Sequence, residues 1–118
     1  MMKWNLNESQ PIWPQLKIII AMEIISGGIK SEEKFPTVRE LASAAKVNVN
    51  TMQRALQDLE RDGLLITDRT IGRRVTSDTD LIMLYKDNLV KNKIKTFISE
   101  MEVLGIKEED IRRYIASM

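Results

Sequence analysis

Between Pro36 and Gly63 the chain reads PTVRELASAAKVNVNTMQRALQDLERDG, two short amphipathic helices separated by a very tight turn. Val38, Leu41, Ala42 and Ala45 recur at the spacing i, i+3, i+4, i+7, and Met52, Ala55, Leu56 and Leu59 repeat it. That period places each set on one side of an α-helix. Only Lys46-Val47-Asn48 lies between them, so the chain must reverse sharply and bring both apolar faces onto a shared core. A helix-turn-helix satisfies this constraint, and its second helix keeps a polar outer face of the kind that enters a DNA groove.

Helix boundaries are written locally. Pro36 precedes Thr37-x-x-Glu40, a capping box whose hydroxyl and carboxylate satisfy amides left unpaired in a first helical turn. Asn48 is the expected N-cap of the second helix and Gly63 its C-terminal stop. Upstream, a helix is expected from about Ile12 to Ser26, with Pro11 and Pro14 at its start, where a missing N–H costs little, and Gly27-Gly28 at its end. Its stripe of Ile12, Leu16, Ile19, Ile20 and Ile24 is widened by Ile18, Met22 and Ile25, so this helix needs partners on two sides. Downstream, Leu64–Thr67 and Arg73–Thr76 read as antiparallel strands joined by a loop over Asp68–Gly72. A leading helix, two further helices and a hairpin give the order of a winged helix-turn-helix, assigned to residues 1–76.

Residues 77–118 read as a separate tail. Ser77-Asp78-Thr79-Asp80 offers caps for a long helix from about Leu81 to Leu104, closed by Gly105. In a last short helix Glu108, Glu109 and Asp110 sit in the first turn and Arg112 and Arg113 near the end, matching the helix dipole. Two helices cannot build a core of useful size, so the tail must dock on something. The expected fold class is mainly α with a small β-hairpin: a winged helix-turn-helix followed by a two-helix tail.

Composition narrows the function. The chain has no His and no Cys, which removes the usual general bases, nucleophiles and zinc ligands and argues against an enzyme. Neither a cofactor nor a metal is expected; the acids Glu108–Asp110 are explained by helix capping. The overall charge of +1 conceals a local excess, because residues 34–76 carry eight basic and five acidic side chains. Its placement matters more: Lys46 to Gln57 contains two basic residues and no acid, so the presumed reading surface presents no carboxylate to phosphates. The polar N-terminus lacks a secretory signal and no apolar run spans a bilayer, so a cytoplasmic location is expected.

With the apolar positions turned inward, Val49, Asn50, Thr51, Gln53, Arg54 and Gln57 lie outward or flanking on the second helix. Asn and Gln can bond adenine edges in pairs, Arg can bond guanine, and Thr can meet a phosphate or a thymine methyl. Asn50, Thr51 and Gln53 are the base or phosphate candidates, with Asn48 divided between capping and phosphate. Arg39 can meet the backbone from the preceding helix, and Arg69, Arg73 and Arg74 around Gly72 form a basic wing. Trp4 and Trp13 read as core or interface filling rather than stacking platforms.

This pattern resembles the GntR family of bacterial transcription regulators. The resemblance is carried by PIWPQLKIIIAMEIISGGI, FPTVRELA, VNVNTMQRALQDLERDGLL and the hairpin, over about residues 11–76. The short tail looks like the YtrA-like subfamily, whose members lack the large effector domain found elsewhere in the family. It implies a homodimer assembled through the tail helices, binding double-stranded DNA at a partly palindromic operator and acting as a repressor, often of transporter operons. Family contacts then fall on Arg39, Asn48, Val49, Asn50, Thr51 and Gln53, plus the wing around Gly72. The family often has basic residues where Val49 and Gln53 stand here, a Gly-rich wing tip where Thr70-Ile71 stand, and an aromatic where Arg74 stands. A small-molecule effector held between tail and winged domain is compatible with the sequence, and no residue singles one out. The alternative reading is a winged-helix module that binds protein through the same surface.

Overall fold

The computed structural model describes residues 2–31 and 33–118. Its elements are α1 (Ile12–Ile25), α2 (Val38–Ala45), α3 (Val49–Arg61), β1 (Leu65–Asp68), β2 (Gly72–Val75), α4 (Thr79–Val103) and α5 (Glu108–Ser117). They divide into two compact units, Met1–Met83 and Leu84–Met118, with the break inside α4.

In the first unit α3 is the hub, packed against α1, α2 and β1. Its Met52, Ala55, Leu56 and Leu59 are completely buried, as the helical period requires. Leu16, Ile20 and Ile24 of α1, with Leu41, Ala42 and Ala45 of α2, supply two further walls of the core. Phe35, Leu64, Leu65 and Val75 close it beneath the hairpin. Each large side chain removed from water here contributes roughly 1.5–3 kcal/mol, so this interface dominates stability. On α1, Ile18 and Met22 stay 42% and 45% exposed.

The capping signals operate as written. Thr37 Oγ1 accepts the Glu40 N–H at 3.1 Å while Glu40 Oε1 accepts the Thr37 N–H at 3.3 Å. Asn48 Oδ1 accepts the Asn50 N–H at 2.7 Å and opens α3. The reversal between α2 and α3 is made by Lys46 in the left-handed region, φ 58°, which lets the Val47 N–H reach the Ala42 carbonyl at 3.0 Å. Gly63, φ 88°, ends α3, and a Cβ there would meet Leu81 Cδ1 at 3.0 Å.

The hairpin differs from expectation by one residue at each strand. The ladder pairs Leu65 with Val75, Ile66 with Arg74, Thr67 with Arg73 and Asp68 with Gly72. Asp68 and Gly72 thus belong to the strands, and the loop is only Arg69-Thr70-Ile71. The cause is local: Asp68 Oδ1 accepts the Thr70 N–H at 2.8 Å and the Ile71 N–H at 3.4 Å, and Gly72, φ 86°, resumes the ladder from a conformation other residues resist.

α4 starts at Thr79, two residues before expectation, because Asp78 Oδ1 accepts the Leu81 N–H at 3.1 Å and supplies the cap. It has no buried residue along its 25-residue length. In the second unit α5 buries Ile111 and begins where Asp110 Oδ2 accepts the Lys107 N–H at 3.2 Å.

Candidate nucleic-acid interface

The capped start of α3 is the centre of the candidate site. Asn48, Val49 and Asn50 are exposed there, Thr51 and Gln53 half-buried, and Arg54 and Gln57 exposed further along. The first turn holds no acid, so the free amides and the positive end of the helix dipole face outward without a neutralising carboxylate. Asn48 is committed through its side-chain oxygen to the cap, leaving its amide NH2 to donate elsewhere.

The acids of α3 all lie in its second half, and each is engaged. Lys17 of α1 bridges Asp58 and Asp62 at 3.3 and 2.8 Å, and Arg61 also pairs with Asp58. Glu60 binds Arg73 at 2.5 Å and the Thr67 hydroxyl at 2.5 Å. Burial pushes the Glu60 carboxyl up, but the Thr67 hydroxyl and the Arg73 guanidinium outweigh it and hold it below the ordinary range. The negative charge of α3 thus lies, already paired, away from its N-terminal end.

Arg39 is exposed in the first turn of α2, and Arg69 is exposed at the wing tip beside exposed Gly72. Arg54 is not a loose side chain, since its guanidinium carbon lies 4.2 Å from the centre of the Trp13 ring. Such a cation–π contact limits the directions in which the arginine can point. Arg73 is drawn back against α3: its side chain is 19% exposed and its carbonyl accepts the Phe35 N–H at 3.3 Å. Alternation explains this, because Arg73 stands two residues from buried Val75 and shares its inward face. Arg74, paired with Ile66, takes the opposite face.

The sequence marks Trp13 only as filler, although it braces Arg54, and Glu60 belongs to no motif that singles it out. The signal for Glu60 was available in the spacing, since it follows Leu56 and Leu59 at the edge of the apolar stripe, facing the strands that come next. Among the described residues no helix is long and apolar enough to cross a membrane, and no cluster of acids could hold a metal ion.

Residues 15–75, from within α1 to the end of the hairpin, match the family model described as bacterial regulatory proteins of the gntR family. The chain belongs to the GntR family. Among Bacillus subtilis proteins, the HTH-type transcriptional regulator YhcF is 31% identical over 107 residues, covering 91% of this chain and 88% of that one. The transcriptional repressor YtrA is 28% identical over 116 residues, covering 98% and 89%. A GntR-family transcriptional regulator from Listeria monocytogenes superposes with a TM-score of 0.84 at 34% identity, over 96% of this chain and 99% of that one. The DNA-binding domain of AraR, solved in complex with an operator, superposes with a TM-score of 0.53 at 31% identity over 64% and 93%. The first unit is therefore a GntR-type winged helix-turn-helix, and the chain is a DNA-binding transcriptional regulator.

Proposed function

We propose that the chain is a homodimeric repressor in the cytoplasm that binds a partly palindromic operator, with residues 1–76 reading DNA and residues 77–118 forming the dimer. The observation that carries the reading is the exposed, acid-free start of α3, where Asn48, Val49, Asn50, Thr51, Gln53 and Arg54 cluster. Arg39 adds a phosphate contact from α2, and Arg69 and Gly72 present the wing tip, with Arg74 beside them. Arg73 supports the wing from behind rather than meeting phosphate through its paired guanidinium.

The dimer is supported by the pattern of α4 and of Leu104, the residue that follows it. Val90, Ile94, Phe97, Met101 and Leu104 follow one another at intervals of 4, 3, 4 and 3 residues, the repeat of a coiled-coil seam. Val90, Ile94, Phe97 and Leu104 are 45%, 51%, 44% and 70% exposed, an apolar stripe that a second copy would cover. Two copies related by a two-fold axis would present two α3 helices to two half-sites. Control of a transporter operon is the regulatory role we favour.

The test is a binding titration on the DNA upstream of the chain's own coding sequence, with salt varied. Affinity should fall steeply and linearly in log–log form as salt rises, because each neutralised phosphate releases counterions. Retention of no DNA at low salt would overturn the reading in favour of a protein-binding module.

A further inference from the structure

Glu60 is placed where one side chain can govern the whole hairpin. Its Oε2 accepts the Thr67 hydroxyl of β1 at 2.5 Å, and its Oε1 accepts Arg73 Nε of β2 at 2.5 Å. Thr67 and Arg73 are directly opposite each other in the ladder, so the two oxygens of one carboxylate hold the two members of a cross-strand pair. The core anchors the hairpin at its base, through buried Leu65 and Val75. The Thr67–Arg73 pair lies two residues further out on the same face, about 7 Å nearer the tip. A single bond there would leave the wing free to swing; two bonds, one per strand, fix both its lean and its rotation. The backbone bond from Phe35 to Arg73 adds a third restraint at the same level. A two-stranded ribbon without such support is marginal in water.

We propose that Glu60 is a positioning residue for DNA binding, one that fixes the wing relative to α3 so that Arg69 and the start of α3 engage one duplex together. The proposal rests on the DNA-binding reading above. A wing that must be ordered at the moment of binding loses part of its contact energy to that ordering. A wing already fixed by Glu60 does not. Arg73 serves in this arrangement as the inward tether and Arg69 as the outward contact, two arginines with opposite roles on one hairpin.

Two measurements on the full-length chain test it. In the first, Glu60→Ala, Arg69→Ala, Asn50→Ala and the two doubles with Glu60→Ala are titrated against a duplex selected from a random pool by the wild type. The Arg69→Ala penalty should shrink by about threefold or more in the Glu60→Ala background, the scale of coupling within a shared network. The Asn50→Ala penalty should be the same in both backgrounds, a selectivity that general destabilisation would not produce. Equal Arg69→Ala penalties in both backgrounds would overturn the proposal. The second needs no DNA: amide exchange over residues 65–75 should quicken in Glu60→Ala and, more mildly, in Glu60→Gln, with α1 and α3 unchanged. Unchanged hairpin exchange would overturn the proposal even if DNA binding is intact. Failure of the wild type to bind any duplex would remove the DNA-binding reading and this role with it, whatever the exchange data show.

Discussion

Lys46 shows how much a single backbone torsion can decide. Its φ of 58° turns the chain between α2 and α3, a conformation that crowds the Cβ of any L-residue. Replacing it with Gly would relieve about 1–2 kcal/mol of that crowding and forfeit roughly 0.5–1 kcal/mol in added unfolded-state freedom. Lys46→Gly should therefore raise the thermal midpoint, and a lowered midpoint would show that the turn is not strained. Thr37, Glu40 and Asn48 were legible in the sequence because a cap is a matter of three or four neighbouring residues. The strained torsion at Lys46 was not, because nothing about lysine announces it; only the shortness of the turn did. Arg73 makes a related point. Its charge suggests phosphate, and its register opposite Thr67 and two residues from Val75 brings its Nε to Glu60. Charge is read from composition, but direction comes from alternation, and the strand had to be placed correctly first.

At the scale of the element, the helices were read within a residue or two and the hairpin slipped by one at each strand. The apolar period that fills the α1–α3 core shows which stretches are helical, and local caps mark where they begin. The strands are four residues each, and their ends depend on how the Asp68 side chain closes the loop, which the apolar pattern does not record. The same two acids make the wing sensitive to acid. Glu60 is lowered from its ordinary 4.5 by Thr67 and Arg73 against the opposing effect of burial, and Asp68 is lowered from 3.8 by the Thr70 and Ile71 amides. For carboxyls lowered in the folded state, the stabilisation is complete above the ordinary values and drains away as pH falls through the folded ones. Hairpin amides should accordingly lose exchange protection below the ordinary Glu60 value of 4.5, before the apolar contact between α1 and α3 opens. Hydrogen exchange followed down the pH scale checks this; protection lost equally in α1 and the hairpin would contradict it.

For the whole molecule, the first unit has a filled core while α4 buries nothing along its length. Along α4, Val90, Ile94 and Phe97 stand exposed on the seam through which the proposed dimer would form. Sedimentation at about 10 μM should show a dimer, and Phe97→Glu should convert it to monomer without changing the thermal stability of the first unit. A monomer in the wild type would remove the two-half-site geometry. The central claim is that the outer face at the start of α3 reads base edges. Its most direct test is an equilibrium titration of wild type and Asn50→Ala, at one salt concentration, on a duplex selected from a random pool and on a scrambled duplex. Asn50→Ala should lose roughly 1–3 kcal/mol, about 5- to 150-fold, on the selected duplex and little on the scrambled one. Equal losses on both duplexes, or none on either, would contradict the account.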